Sequence, residues 1–373
     1  MKSLNFEYDY KPISKLESLS KALKVSLPEL VQIVDQSNYL YSIVSEEQKP
    51  DGSVKVTYKA KPKLRGVLDS IRTTILSRVE YPEYILAGQP KKSYMNNVQA
   101  HISPKMLITE DVKSFFPSIS AENVEQLFLY FFNFSPEVSK MLSQLSTKNG
   151  FLVQGSPVSG DIANLIFFRH EPKLAEWCTK RNLRYTRYYD DIHISSDMSD
   201  FSGHVEELKS KIYRMFGQVG VKPHRGNKKS RIVRDSSRIC VHDVTVNSKK
   251  TSPSKQRVSK CRQLIFDYEI SVKNRDNVDE LIKKYRSIAG KIETLKQQGY
   301  ENYKKLANKL NTIVSEVNEE DAKKYIRKYR KIKSKSELMK LSGRVAVLKK
   351  INIRIRKIVE AERKSAYAKK LKP

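Results

Sequence analysis

The stretch RYTRYYDDIHISS, residues 184–196, sets two aspartates side by side between two runs of aromatic and β-branched residues. Residues 185–189 and 192–196 have strand composition, so Asp190 and Asp191 fall where a hairpin should turn. A lone pair of turn aspartates is an ordinary solvated feature. A second stretch, LITEDVKSFFPSIS at 107–120, delivers Asp111 from an apolar-flanked strand, followed by Phe115, Phe116 and a turn at Pro117. If the two strands are neighbours, three carboxylates meet at one sheet edge. Their mutual repulsion is tolerable only with a hard cation between them. Mg²⁺ suits such oxygen ligands, and two ions roughly 3.5–4 Å apart would serve the attacking and leaving oxygens of a nucleotidyl transfer.

The charge balance points to the same chemistry. The 373 residues include 71 Lys and Arg against 41 Asp and Glu, a formal net charge of +30, with 39% hydrophobic residues. That apolar share supports a sizeable core and two or three domains, while the charge concentrates polyanions, nucleic acid first among them. No apolar run approaches the roughly 20 residues of a spanning helix, and no helix pairs a basic face with a broad Trp, Phe and Leu face, so no membrane partner is expected. The N-terminal MKSLNFEYDYKPISK has no apolar leader region, and Cys178, Cys240 and Cys261 are odd in number and widely spaced. A reduced cytoplasm, without zinc site or disulfide framework, is the expected setting.

Residues 281–373 hold 28 basic and 9 acidic side chains, most of the excess. Helical spacing of Val278, Leu281, Ile282, Tyr285, Ile288 and Ile292, and of Val345, Leu348, Ile351, Ile355, Ile358 and Val359 beyond a break at Gly343, predicts packed helices. KKYIRKYRKIKSKSELMK and RKSAYAKKLKP interleave Tyr with Lys and Arg, a pattern suited to RNA phosphates and unpaired bases. Near the N-terminus two short helices are expected, the second opening at Ser26 with Pro28 in its first turn, before the basic, β-rich DGSVKVTYKAKPK. The middle third alternates strand-like and helical runs, as an α+β core does.

YYDD at 188–191 resembles the Tyr-x-Asp-Asp box of reverse transcriptases, DVKSFFPSIS at 111–120 their first catalytic-aspartate segment, and GFLVQGSPVSGDIANL at 150–165 their Gln-Gly segment, in the family's order and spacing. GQPKKSYMNNVQAHISPKMLITEDVKSFFPSI, with Asn96, Asn97 and His101, is similar to the retron-type and related bacterial defence-associated members. The resemblance covers roughly residues 15–295. It implies an α+β right-hand polymerase: N-terminal helices and fingers at 1–100, a palm with a small antiparallel sheet and a fingers insertion at 101–250, a helical thumb at 251–315 and a basic helical extension at 316–373.

The implied activity is RNA-directed DNA synthesis from dNTPs with two Mg²⁺ ions, on a structured non-coding RNA that is partly copied. DNA and an RNA–DNA duplex would be the products. The retron branch further implies a bacterial anti-phage role with a separate effector protein. Carried over residue by residue, Asp111 and Asp190 would be the principal metal ligands and Asp191 their support. Phe115 would floor the nucleotide sugar, Gln154 and Gly155 line the nucleotide pocket ahead of Ser156 and Pro157, and Tyr188 touch the primer end. Lys229 would face the triphosphate, with Lys228 able to take its place because the loop is about two residues longer than the family pattern. Lys55 stands where the fingers carry a phosphate-clamping Arg, and without the bidentate fork its clamp would be weaker.

Two departures stand out. Tyr189 replaces a small residue and should crowd the space beside the template-primer duplex, and VHD at 241–243 replaces the retron Val-Thr-Gly. The competing readings are a non-retron defence polymerase making repeat or protein-primed DNA, and a non-catalytic RNA-binding scaffold. The intact aspartates and Gln154 argue against the scaffold.

Overall fold

The computed structural model describes residues 3–313 apart from 49–51, 53, 199, 200, 227–229, 275 and 277, with isolated positions beyond 313. The chain divides into two compact units, residues 1–242 with 246–249 and residues 243–245 with 250–373.

The first unit opens with α1 (Leu16–Leu23) and α2 (Leu27–Asp35). The Ser26 hydroxyl accepts the Glu29 amide, and Pro28 sits in the first turn where no N–H is needed, as the sequence predicts. β1 (Tyr41–Gln48) and β2 (Val54–Ala60) pair antiparallel, so the basic segment is one arm of a ribbon. There follow α3 (Pro62–Thr74), α4 (Tyr94–Ala100), β3 (Met106–Asp111) and the short α5 (Phe115–Ser118). Next come α6 (Ala121–Tyr130), α7 (Pro136–Ser146), two-residue strands β4 (Thr147–Lys148) and β5 (Phe151–Leu152), α8 (Ser159–Leu165) and α9 (Glu171–Thr179). β6 (Arg184–Tyr188), β7 (Asp191–Ser196), α10 (Val205–Val219), β8 (Arg231–Arg234) and β9 (Cys240–Val241) complete it.

A four-stranded sheet in the order β6-β7-β3-β8 organises this unit, with every neighbouring pair antiparallel. β3 is buried from end to end, with β7 paired on one side of it and β8 on the other. Leu208, Ile212, Met215 and Phe216 of α10 recur at helical spacing and are all buried in the same core as Phe115 and Phe167.

The second unit begins with β10 (Val244–Thr245) and β11 (Ser252–Pro253), an antiparallel pair. α11 (Lys255–Lys273), α12 (Val278–Gln297) and α13 (Tyr303–Thr312) then pack Val258, Ile265 and Tyr268 against the predicted stripe Leu281, Ile282, Tyr285, Ile288 and Ile292, with Leu306 and Leu310 closing the cluster. The stripe from Val345 to Val359 lies outside the described residues. Among the described residues no helix is long and apolar enough to cross a membrane.

Candidate active site

The pairing of β3 with β7 sets Asp111 directly opposite Asp191, and β6 pairs Tyr188 with the same Asp191. The turn between β6 and β7 is therefore Tyr189–Asp190 alone, and Asp191 is the first residue of a strand rather than part of the turn the sequence suggested. Each of Asp111, Asp190 and Asp191 offers a carboxylate oxygen, and the three oxygens lie within 4.8 Å of one another. Asp111 is buried at 3% exposure, while Asp190 and Asp191 are half-buried. This all-oxygen donor set fits a hard divalent cation, which would relieve the repulsion that the strand register imposes.

The turn is held from beneath. Arg187, at 1% exposure, forks onto Glu171, at 0%, through Nε to Oε1 at 2.6 Å and Nη2 to Oε2 at 2.7 Å. The same guanidinium donates to the Tyr189 carbonyl at 3.1 Å and the Asn164 carbonyl at 2.7 Å. The Tyr185 hydroxyl adds a bond to Glu171 at 2.8 Å. One buried ion pair thus ties the turn beside Asp190 to α8 and α9. Sequence reading missed it because Arg187 sits in a strand of alternating residues and its partner lies 16 residues upstream on a helix.

Tyr189, at φ 54°, departs from expectation in where its ring goes. It turns into the protein, 6.0 Å from Phe116 between ring centres, and lies against Gly88 and Gly160. A Cβ on Gly88 would stand 2.6 Å from the Tyr189 hydroxyl, so the two glycines form the slot that receives the ring. The Tyr189 ring is thereby packed against the core.

Phe115 also needs correction. It is 3% exposed and its ring stacks on Phe167 at 6.0 Å and 12°, leaving no face for a sugar. The next residue, Phe116, is half-buried. Gln154 is half-buried and Gly155 exposed; the Gln154 carbonyl accepts the Tyr58 amide at 2.8 Å, which fastens β2 to the Gln-Gly segment. Gly155 has φ 102°, and a Cβ there would lie 2.2 Å from the Tyr58 carbonyl oxygen, so only glycine fits. Lys55 is exposed on β2, opposite Glu47 of β1. Lys228 and Lys229 lie outside the described residues; the backbone just before them is pinned beside β3, where the His224 amide donates to the Asp111 carbonyl at 2.7 Å.

A polar group that the sequence flagged only in part lies behind Asp191. Tyr188 meets the ring of His242 edge-on at 5.0 Å, and His242 Nδ1 stands 3.9 Å from Asp191 Oδ2. Asn97 bonds His242, and His101 is fully buried between Ser195 and Thr186. Burial, with Arg184 and His242 nearby, pushes the His101 imidazole down to about 3, so it is neutral. Asn96, by contrast, serves its own helix: with Ser93 it forms the capping box of α4.

The site is thus a small antiparallel sheet within a mixed helix-and-sheet fold, presenting three carboxylates at a hairpin tip, with an aromatic after the first aspartate. No protein-family model matches the chain. Curated relatives do, among them the Retron Ec48 reverse transcriptase of Escherichia coli, 27% identical over 81% of this chain and 76% of the relative, and the Retron Se72 reverse transcriptase of Salmonella heidelberg, 32% identical over 55% of this chain and 53% of the relative. The chain thus spans about half the length of the second. A solved telomerase from Candida albicans, in complex with a fragment of telomeric RNA, aligns over 88% of this chain and 57% of its own at 11% identity, with a TM-score of 0.34. The chain is thus similar in sequence to retron reverse transcriptases, a likeness that supports an RNA-directed DNA polymerase.

Proposed function

We propose that the protein binds a structured non-coding RNA and copies part of it into DNA, with Asp111, Asp190 and Asp191 as the ligands of two Mg²⁺ ions. The observation that carries this reading is the approach of the three carboxylate oxygens to within 4.8 Å of one another. Bound there, the ions would supply charge stabilisation to both the attacking and the leaving oxygens. Asp111, buried on a central strand, is the rigid member of the set, and Asp190 rides on a turn braced by Arg187. Gln154 and Gly155 form one wall of the nucleotide pocket, held by β2, and Lys55 on that ribbon reaches for the triphosphate. Tyr188 rests against the primer end. The floor under the sugar falls to Phe116 rather than Phe115, because only Phe116 keeps an open face. Lys229, or Lys228, neutralises the departing pyrophosphate. Residues 251–315 act as the thumb, the basic residues of 316–373 hold the RNA, and the system is an anti-phage retron with a separate effector.

Primer extension on the RNA that copurifies with the protein tests the reading. Wild type with Mg²⁺ and dNTPs extends the primer, while Asp190→Asn binds the same RNA and leaves the primer unextended. Wild type that binds RNA but extends nothing would return the protein to the scaffold class.

A further inference from the structure

Asn97 on α4 and His101 at the C-terminal cap of that helix lie one helical turn apart, both at 0% exposure. Together with residues of β6 and β7 they build a hydrogen-bond chain. Arg184 Nε, which can only donate, bonds Ser195 Oγ at 3.0 Å. Ser195 Oγ lies 2.7 Å from His101 Nδ1; because the single Thr186 hydroxyl proton goes to Asn97 Oδ1, Nδ1 of the neutral His101 accepts the Ser195 hydroxyl and its Nε2 carries the ring proton. That proton goes to Thr186 Oγ1 at 2.7 Å, and the Thr186 hydroxyl donates onward to Asn97 Oδ1 at 2.6 Å.

With its oxygen taken, Asn97 has only its amide N–H groups left. They reach His193 Nδ1 at 3.3 Å and His242 Nε2 at 2.9 Å. A neutral imidazole whose Nε2 accepts carries its proton on Nδ1, and Nδ1 is the nitrogen of His242 that stands 3.9 Å from Asp191 Oδ2. The ring is boxed in by Tyr188 at 5.0 Å, His193 at 5.2 Å and Tyr94 at 6.0 Å, and its backbone is left-handed at φ 49°.

We propose that His242 is a positioning residue for the carboxylate cluster: held in its Nδ1–H tautomer by Asn97, it presents that proton to Asp191 and sets the carboxylate for a divalent cation. The proposal rests on reading the three aspartates as a cation site. It gives the VHD departure a purpose, since a Thr at 242 could not span from Asn97 to Asp191. Partners of this kind commonly change ion affinity by 10–100-fold when lost.

The test is Mn²⁺ binding to the full-length protein without nucleotide, followed by the electron paramagnetic resonance of the free ion, with thermal unfolding as the check on folding. His242→Ala should weaken Mn²⁺ binding by about tenfold or more. His242→Asn should stay close to wild type, because its amide N–H copies the Nδ1 proton and Asn tolerates a positive φ. His242→Gln, whose amide reaches the Nε2 position instead, should behave like Ala. Asn97→Asp offers only acceptors, so it draws the His242 proton to Nε2 and turns a lone pair toward Asp191; it too should weaken binding. Combined with His242→Ala it should add nothing further. Wild-type affinity in a folded His242→Ala, or equal affinity of the Asn and Gln variants, overturns the proposal. Should the Ala variant not fold, the Asn and Gln pair decides alone. A wild type that binds Mn²⁺ no better than Asp190→Asn instead removes the cation-site reading, and this proposal with it.

Discussion

At the scale of single residues, two positions separate packing from chemistry. Phe115 is a core ring, so Phe115→Ala should lose about 3–5 kcal/mol of stability in a denaturant titration, with no gain of ribonucleotide incorporation. Phe116→Val should do the reverse, admitting ribonucleotides in a primer-extension assay while leaving the unfolding midpoint nearly unchanged. An identical outcome for the two would mean that neither ring floors the sugar. Gly155 is constrained by geometry alone: φ 102° and a 2.2 Å approach to the Tyr58 carbonyl leave no room for a methyl group. Gly155→Ala should cost about 1–3 kcal/mol or release β2 from the Gln-Gly segment, the latter read as faster hydrogen exchange at the Tyr58 amide. The QG pair was legible as a motif. Its reason was not, because the Tyr58 carbonyl is nearly a hundred residues away in sequence.

At the scale of elements, the β6–β7 hairpin depends on a device that belongs to neither strand. Arg187 and Glu171 are both desolvated, so Arg187→Met leaves a buried carboxylate unpaired and should cost about 3–5 kcal/mol. The double variant Arg187→Met with Glu171→Leu should regain much of that stability, since an apolar pair can replace a buried ion pair. It should not regain full polymerase activity, because the Tyr189 carbonyl has lost its donor and the turn bearing Asp190 is less firmly held. Full recovery of both would reduce the ion pair to packing. The hairpin itself was legible from alternation, and Ser26, Pro28 and the α12 stripe foretold their helices, because caps and periodicity are local properties. β3 was legible only as an apolar-flanked strand. That it is central, with β7 on one side and β8 on the other, came from pairings with residues far along the chain.

At the scale of the whole molecule, the formal charge of +30 makes RNA affinity an electrostatic quantity. If the protein neutralises several phosphates, affinity for its RNA should fall by roughly a thousandfold or more between 50 and 200 mM salt. A flat response in a filter-binding series would assign recognition to shape and stacking instead. The sequence alone determined which chemistry is present: three aspartates in recognisable boxes, a Gln-Gly turn and a strongly basic chain, all local or additive properties. Tertiary structure decided which atoms meet. The register that sets Asp111 opposite Asp191, the inward turn of Tyr189 between two glycines, the burial of Phe115 one residue before a half-open Phe116, and the proton order from Arg184 to His242 arise from contacts between distant segments. Such contacts depend on shape and distance in the folded chain, which residue order constrains only through the packing of every element at once.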